Sequence, residues 1–479
     1  MRSDPVPDWL LLRQRDRDSL AAAEPGREVT AGELCGLAEA TARTLREVGV
    51  EPGHRVVIGL PSSIRFVSAY LGVRLCGGVL VNVPWQWRRE LLSVVEETDA
   101  RAVILDERVD PNVARLLGDL VVELPDTPPD LPRHASVESR GPDEIAWLAY
   151  SSGTTALPKG AVHTEKTLAL IARGFVQRYR LGPDDVVLVA APTGHAVGFV
   201  YGVELALRAG CAMALLPSWD ASTCAELTAR HRCTFVAAPT PFLLDVVELA
   251  EQDGPGPFAS LRVFLCGGAP VPTSLLERAR AALPKTDVTA YYGTSECGGV
   301  TTCAPDASEG KKLTTDGAPL PGMEVCVDGG ELLVRGAQLA RGYWSGGESH
   351  RFRADGWFAT GDEATLDADG YIRIVGRLDD RIVRGGVNIS PVEIEQVLAA
   401  HPAVRDVAVV GAPDPRLGER VAAIIVGEPP SLADLREHCR AAGLAKLKWP
   451  ELVVPISELP RSPSGKVLRV ELRHQLECT

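Results

Sequence analysis

Residues 150–161 read YSSGTTALPKGA, with four serine or threonine hydroxyls, two glycines and one lysine within twelve residues. Hydroxyls and backbone N–H groups at that density can wrap a phosphate chain, and the lysine adds positive charge. A plain surface turn is the competing reading, because serine, threonine, glycine and proline all favour turns. The stretch is not a GxxxxGK[ST] loop, since Gly160 and not a hydroxyl residue follows Lys159. Further along come FLCGGAP (264–270), YYGTSE (291–296), TGD (360–362), GRLDDRIVRGGVNISPVEIE (376–395) and PRSPSGKVLR (460–469). Singly, each has a structural explanation. Gly267 and Gly268 permit a turn, Asp362 caps a helix, Asp379 and Asp380 solvate a loop, and Lys466 sits on a surface.

Residues so far apart act together only if a frame gathers them. VVIGL (56–60), VLVNV (79–83) and AVILD (102–106) read as buried strands, with helical patterns over 63–76 and 89–98 between them. The alternation resumes with VVLVA (186–190), AMALLP (212–217), FVAAP (235–239), VFLCGG (263–268) and VTAYYG (288–293). This predicts an α/β fold with a large, multi-layer N-terminal domain of mostly parallel sheets, whose carboxyl-end loops hold ligands. FLCGGAP and YYGTSE sit at such ends. Beyond residue 320, GGELLVRG and DADGYIRIVGR predict a β-rich subdomain. From residue 391, PVEIEQVLAAH, VAVVG, VAAIIVG and helix 431–443 predict a small, mobile α+β C-terminal domain of about a hundred residues. The boundary expected at GRLDDR divides 1–378 from 379–479.

The 479 residues are 45% apolar and 24% charged, the balance of an ordinary globular protein of two or three domains. A net charge of −13 argues against nucleic acid as a partner and against docking on an anionic membrane. The opening MRSDPVPDWLLLRQRDRD holds no apolar run of signal-peptide length. The apolar region 186–217 is broken by Pro192, His195, Glu204 and Arg208, so it reads as buried strand–helix–strand and not as a membrane span. Eleven cysteines form no CxxC pair and no zinc-spaced cluster, which predicts reduced, buried thiols in a cytoplasmic protein.

Taken in this order, YSSGTTALPKGA, YYGTSE, TGD, GRLDDRIVRGGVNISPVEIE and PRSPSGKVLR resemble the adenylate-forming enzymes across essentially the whole chain. That superfamily comprises acyl-CoA synthetases, adenylation domains of nonribosomal peptide synthetases and beetle luciferases. APTPFLLDVVE (238–248), FLCGGAPVP (264–272) and TDGAPLPGMEV (315–325) look most like bacterial cyclohexanecarboxylate- and benzoate-type CoA ligases. The resemblance implies attack of a carboxylate on the α-phosphorus of ATP with release of pyrophosphate, after which a thiol displaces AMP. It also implies residue roles. Ser151, Ser152, Gly153, Thr154, Thr155 and Lys159 would hold the β- and γ-phosphates. Tyr292 would lie against adenine, with Gly267, Gly268 and Ala269 close to the base. Thr294 would contact the α-phosphate, and Glu296 would bind Mg²⁺, a hard cation suited to carboxylate and phosphate oxygen. Asp362 would take the ribose hydroxyls with help from Arg377, and Lys466 would bridge carboxylate and α-phosphate as charge builds there. One departure stands in the phosphate loop: Ala156 replaces the family's usual glycine, at a cost of roughly 1 kcal/mol if the position needs positive φ.

Asp379 matches the family's hinge, about which the small domain would turn after adenylation. Val383 to Val387, with Gly385 and Gly386, would then line a pantetheine channel; an ordinary β-turn is the other reading. APTGHAVGFVYGV (191–203) would line the acyl pocket. It carries no aspartate to hold an ammonium group, and a buried unpaired charge is too costly, so an ordinary amino acid is not expected. His195 would stand at the pocket mouth or serve as an inert, hydrogen-bonded histidine. Gly198 and Phe199, with Gly194, Ala196 and Val197, would give apolar walls for a neutral, bulky acid, aryl or alicyclic. The expected ligands are a small carboxylic acid, ATP, Mg²⁺ and coenzyme A, or a carrier-protein phosphopantetheine in place of free CoA, in a monomer or homodimer. A non-catalytic nucleotide-binding protein is the alternative from another class, against which both lysines and Glu296 weigh.

Overall fold

The computed structural model describes residues 12, 14–127, 141–151, 158–347, 349–461 and 467–477. Among these, β-branched runs and intervening helices build a five-stranded sheet. Its order is Ala102–Leu105, Arg55–Gly59, Val79–Asn82, Ile145–Ser151 and Lys159–Thr164. All its pairings are parallel except the last, an antiparallel hairpin in which Ser151 faces Lys159. Ser151 and Lys159, on either side of the phosphate-loop sequence, are therefore partners in a β-hairpin.

A second sheet of nine described strands runs Ala318–Pro319, Gly298–Thr302, Asp287–Thr294, Val263–Gly267, Phe235–Ala238, Val186–Val189, Ala212–Leu215, Leu20–Glu24 and Arg27–Thr30. From Asp287–Thr294 to Leu20–Glu24 every neighbour is parallel. LAAAE carries no β-branched signal, and alanine is a weak strand former. Its three alanines are wholly enclosed, so packing and not propensity makes it a strand. The apolar region 186–217 is strand, helical segment and strand, as its broken hydrophobicity predicts. No helix among the described residues is long and apolar enough to cross a membrane.

Met323–Asp328, Glu331–Gly336, Phe358–Leu366 and Ile372–Arg377 form an antiparallel four-stranded sheet, the β-rich portion expected beyond residue 320. The C-terminal portion is a five-stranded sheet, in which Gly418–Val426 pairs with Ile382–Arg384, Val407–Asp414 and Leu452–Ile456. It has its own apolar core, centred on Ile394, Val409, Val421 and Leu435.

A buried ion cluster ties three elements of the large portion together. Helix Glu165–Tyr179 begins at a Thr164 cap, and Glu165 in its first turn accepts from Arg74 (2.7 Å) and Arg208 (3.1 Å). Arg208 Nε also donates to Glu204 (2.6 Å), whose second oxygen accepts the Tyr70 hydroxyl (2.6 Å). Two carboxylates against two guanidiniums leave no net buried charge, the condition under which such a cluster is tolerated. It fixes the helical segment after His195 against helices Ile64–Leu75 and Glu165–Tyr179. All the described cysteines but Cys35 and Cys326 are buried, and burial pushes the thiols of Cys211, Cys224, Cys233 and Cys266 up to about 12. Protonated thiols of that kind are chemically inert.

Candidate active site

The carboxyl ends of strands Val263–Gly267 and Asp287–Thr294 lie side by side, with Gly267 paired to Tyr291. Side chains alternate along a strand, so Tyr291 and Tyr292 point to opposite faces. The Tyr292 hydroxyl donates to Asp362 (2.6 Å), which comes from the four-stranded sheet, and Arg377 Nε stands 3.3 Å from the other carboxylate oxygen. Asp362 and Arg377 are cross-strand partners, so register alone brings them together. Burial, and secondarily the Asp362 charge, raises the Tyr292 phenol well above its ordinary value and keeps it a donor. Gly361 adopts φ +72°, which favours glycine just before the carboxylate. Beside Tyr292, Gly268 adopts φ +81° and faces open space, while a Cβ on Gly267 would sit 2.6 Å from the Tyr291 ring. Ala269 follows, half-buried.

Beyond Tyr292 the chain turns sharply. The Thr294 hydroxyl accepts the N–H groups of Glu296 and Cys297, both at 3.2 Å. Thr294 is thus occupied in shaping the turn, whereas the Ser295 side chain, half-buried beside it, is not used for that purpose. Ser295 is a residue that motif reading passed over, because the sequence does not reveal which of two adjacent hydroxyls the turn consumes.

Glu296 is held by the segment 338–344. The Tyr343 hydroxyl donates to its Oε1 (2.7 Å), and Ala340 N–H donates to its carbonyl (2.7 Å). The same segment pairs with the hairpin, through Val162 N–H to Gly342 O and Trp344 N–H to Gly160 O. Ser151 and Lys159 at the hairpin end are thereby tied to Glu296. Ser152, Gly153, Thr154, Thr155, Ala156 and Lys466 lie outside the described residues. On the inner side His163 is wholly buried, stacked on Trp147 at 4.9 Å, with Nε2 2.7 Å from the Ser295 carbonyl. Burial lowers its pKa to about 4, so the ring is neutral and Nε2–H donates. Trp147 in turn donates to Asn82 (2.6 Å), and Asn82 to the Thr193 carbonyl (2.5 Å). This chain of groups links the turn at Ser295 to segment 191–203, and no motif announced it.

Within that segment the structure redistributes the expected roles. Phe199 is not a pocket wall: its ring is fully enclosed, edge-on to Tyr70 (4.9 Å) and Trp147 (5.2 Å). Gly198 is likewise a packing residue, because a Cβ there would collide with the carbonyls of Ala191 and Pro192. A Cβ on Gly194 would stand 2.5 Å from Pro84 N, so the segment lies directly on Val83 and Pro84. His195 is buried at the start of the helical turn Ala196–Gly198. The next turn, Phe199–Glu204, is a π-helix, a form that recurs at functional sites.

Asp379 is exposed within a single 3₁₀ turn, Leu378–Asp380. Asp380 instead faces Arg469 and Arg473, each at 3.7 Å, while Arg381 pairs with Glu363 (2.9 Å). Gly385 and Gly386, at φ +58° and +83°, form the two-residue turn of hairpin Ile382–Arg384/Val387–Ile389. The stretch is a two-residue β-turn with Val383 and Val387 exposed at its tip.

The family model for the AMP-binding enzyme matches residues 11–344, and that for the AMP-binding enzyme C-terminal domain matches 393–466. The chain is 31% identical to the medium-chain fatty-acid–CoA ligase of Escherichia coli strain K12 over 98% of its own length and 89% of the relative's. It is 31% identical to a feruloyl-CoA synthase of Amycolatopsis sp, over 99% and 100% of the two chains. The solved o-succinylbenzoate CoA synthetase of Bacillus subtilis, in complex with its acyl-adenylate intermediate, superposes with a TM-score of 0.87 at 28% identity, covering 98% of each chain. Motifs, architecture and relatives agree: the chain belongs to the AMP-binding, adenylate-forming enzymes, in their AMP-forming acyl-CoA synthetase branch.

Proposed function

We propose that this acyl-CoA synthetase acts on an aryl or alicyclic carboxylic acid, and that the residues gathered at the two strand ends divide the work. The observation that carries the reading is the convergence of Tyr292, Asp362 and Arg377 on one side of strand Asp287–Thr294, with Glu296 and the Ser151–Lys159 hairpin at its end. Adenine would lie on Tyr292 above Gly267, Gly268 and Ala269, with the ribose on Asp362 and Arg377. Ser151 to Thr155 and Lys159 would hold the β- and γ-phosphates, with Ser295 joining Thr294 at the α-phosphate. A single carboxylate, pre-oriented by Tyr343, suits Mg²⁺, which takes one or two protein oxygens and completes its shell with phosphate and water. The ion would supply charge neutralisation for the triphosphate.

A carboxylate oxygen then attacks the α-phosphorus, and the bond to the pyrophosphate oxygen breaks. Both reactants are anions, so the barrier is met by fixed cations and N–H donors placed beforehand. Lys466 would supply one such charge. In the second step the CoA sulfur attacks the acyl carbon and AMP leaves. We assign the pivot between the two steps to Asp379, dividing 1–378 from 379–479, because it is exposed while Asp380 is engaged by Arg469 and Arg473. The absence of an aspartate from 191–203 supports an uncharged acid body. The test is ATP–pyrophosphate exchange across aryl, alicyclic, linear and amino acids, followed by addition of CoA or a phosphopantetheinyl carrier and weighing of the product. Exchange confined to linear or amino acids would overturn the substrate assignment.

A further inference from the structure

Three neighbouring strands of the five-stranded sheet, Val79–Asn82, Ile145–Ser151 and Lys159–Thr164, each lend one buried side chain to a single row. Asn82 is 2% exposed, Trp147 1% and His163 not at all. Trp147 and His163 are cross-strand partners with stacked rings. Asn82 uses both ends of its amide: Oδ1 accepts the Trp147 indole N–H, and Nδ2 donates to the Thr193 carbonyl. An amide suits that place because it offers a donor and an acceptor at fixed separation. At the far end His163 Nε2–H donates to the Ser295 carbonyl, and Nδ1 stands 3.2 Å from the Thr167 hydroxyl. With the indole N–H, both ends of the amide and both imidazole nitrogens engaged, the row is held in one arrangement.

What the row joins gives it a meaning beyond packing. Thr193 follows strand Val186–Val189 and Ser295 follows strand Asp287–Thr294, with two strands of the nine-stranded sheet between them. Their own sheet thus sets the two loops apart by three strand spacings, about 14 Å. A buried path of contacts runs between them through the other sheet. Ser62, just after strand Arg55–Gly59, fastens the same segment, accepting Thr193 N–H (3.1 Å) and donating to the Ala191 carbonyl (2.9 Å). Segment 191–203 is the side on which the acid is expected, and turn 294–296 the side of the α-phosphate and Mg²⁺. Attack at phosphorus needs reacting atoms about 3–3.5 Å apart, and a misplacement of about 1 Å costs on the order of 100-fold. We propose that Asn82, Trp147 and His163 are positioning residues for adenylate formation, holding the acid-bearing segment at a set distance from the phosphate-bearing turn. The role rests on the acid-activation reading and names the residues that gauge its first step.

The test separates the two half-reactions in the full-length enzyme, with an acid taken from the exchange panel. One arm follows single-turnover release of pyrophosphate; the other follows thioester formation from that acid's adenylate, supplied ready-made with CoA. His163→Phe keeps the stacked ring and removes the donor to Ser295, and Trp147→Phe keeps an aromatic ring and removes the donor to Asn82. Each should slow pyrophosphate release by roughly 10- to 100-fold, with KM for acid and for ATP within about 3-fold of the original. Thioester formation should stay within about 3-fold, since acid and phosphate are already joined in the supplied adenylate. His163→Gln places an amide N–H where Nε2–H stood and should restore most of the rate. Rates are expressed per nucleotide-binding site, so a fraction lost to unfolding does not register, and either phenylalanine variant suffices if the other does not fold. Pyrophosphate release unmoved by the substitutions, equal losses in both half-reactions, or a loss carried wholly by KM would overturn the inference while leaving acid activation intact. No release by the unaltered enzyme with any acid would instead remove the reading beneath it.

Discussion

At Glu296 and Asp362 the decisive feature is not the carboxylate but the phenol aimed at it. Tyr343 and Tyr292 each donate one hydrogen bond, of 2.7 and 2.6 Å, that fixes a carboxylate oxygen before any ligand arrives. Outer partners of this kind typically change metal affinity 10- to 100-fold. Tyr343→Phe should therefore raise the Mg²⁺ concentration for half-maximal pyrophosphate exchange by about 10-fold, with the KM for the acid unchanged; calorimetry of ATP binding with and without Mg²⁺ gives the same comparison without turnover. Glu296 and Asp362 were legible in YYGTSE and TGD because the acidic residues stand within recurring words. Tyr343 and His163 were not, since nothing local in KGAVHT or ARGYW indicates what their side chains reach.

Among the elements, helix Glu165–Tyr179 and the helical residues Glu204 and Arg208 owe their mutual position to the ion cluster. Removing one partner of a buried pair strands the others, at about 3–5 kcal/mol. Glu165→Leu should lose stability of that size in denaturant unfolding, since Arg74 and Arg208 would remain buried beside one carboxylate fewer. His163 adds a pH dependence. Its folded pKa of about 4 lies below the unfolded 6.5, so the unfolded chain binds the extra proton. The stability present above pH 6.5 should therefore fall as pH drops from 6.5 toward 4, by about 1.4 kcal/mol per pH unit from this residue alone. Unfolding free energies measured across that interval should be flatter in His163→Gln, which cannot titrate. Strand and helix positions followed from β-branched runs and amphipathic spacing; the strand LAAAE did not, because enclosure by neighbours and not residue preference makes it a strand.

For the whole molecule, the question is how one chain performs two reactions at one adenylate. Asp379 is exposed between Arg377, which belongs to the large portion through Asp362, and Asp380, which belongs to the small one through Arg469 and Arg473. Asp379→Pro fixes φ at that joint. It should leave adenylate formation near its original rate and slow thioester formation by about 10-fold or more, each half-reaction followed separately; equal loss in both would dismiss the pivot. The order of motifs along the sequence was sufficient to identify the family and the α/β architecture, because those depend on local composition and on spacing that any single segment displays. Sequence also supplied the charged residues proposed for the site. Tertiary structure alone decided that Phe199 serves the core, that the Thr294 hydroxyl accepts the two N–H groups of its turn, and that the Tyr291 hydroxyl is buried without a hydrogen-bond partner. Those outcomes depend on what lies across a gap of several ångströms, and residues brought together by folding leave no mark in the order in which they are written.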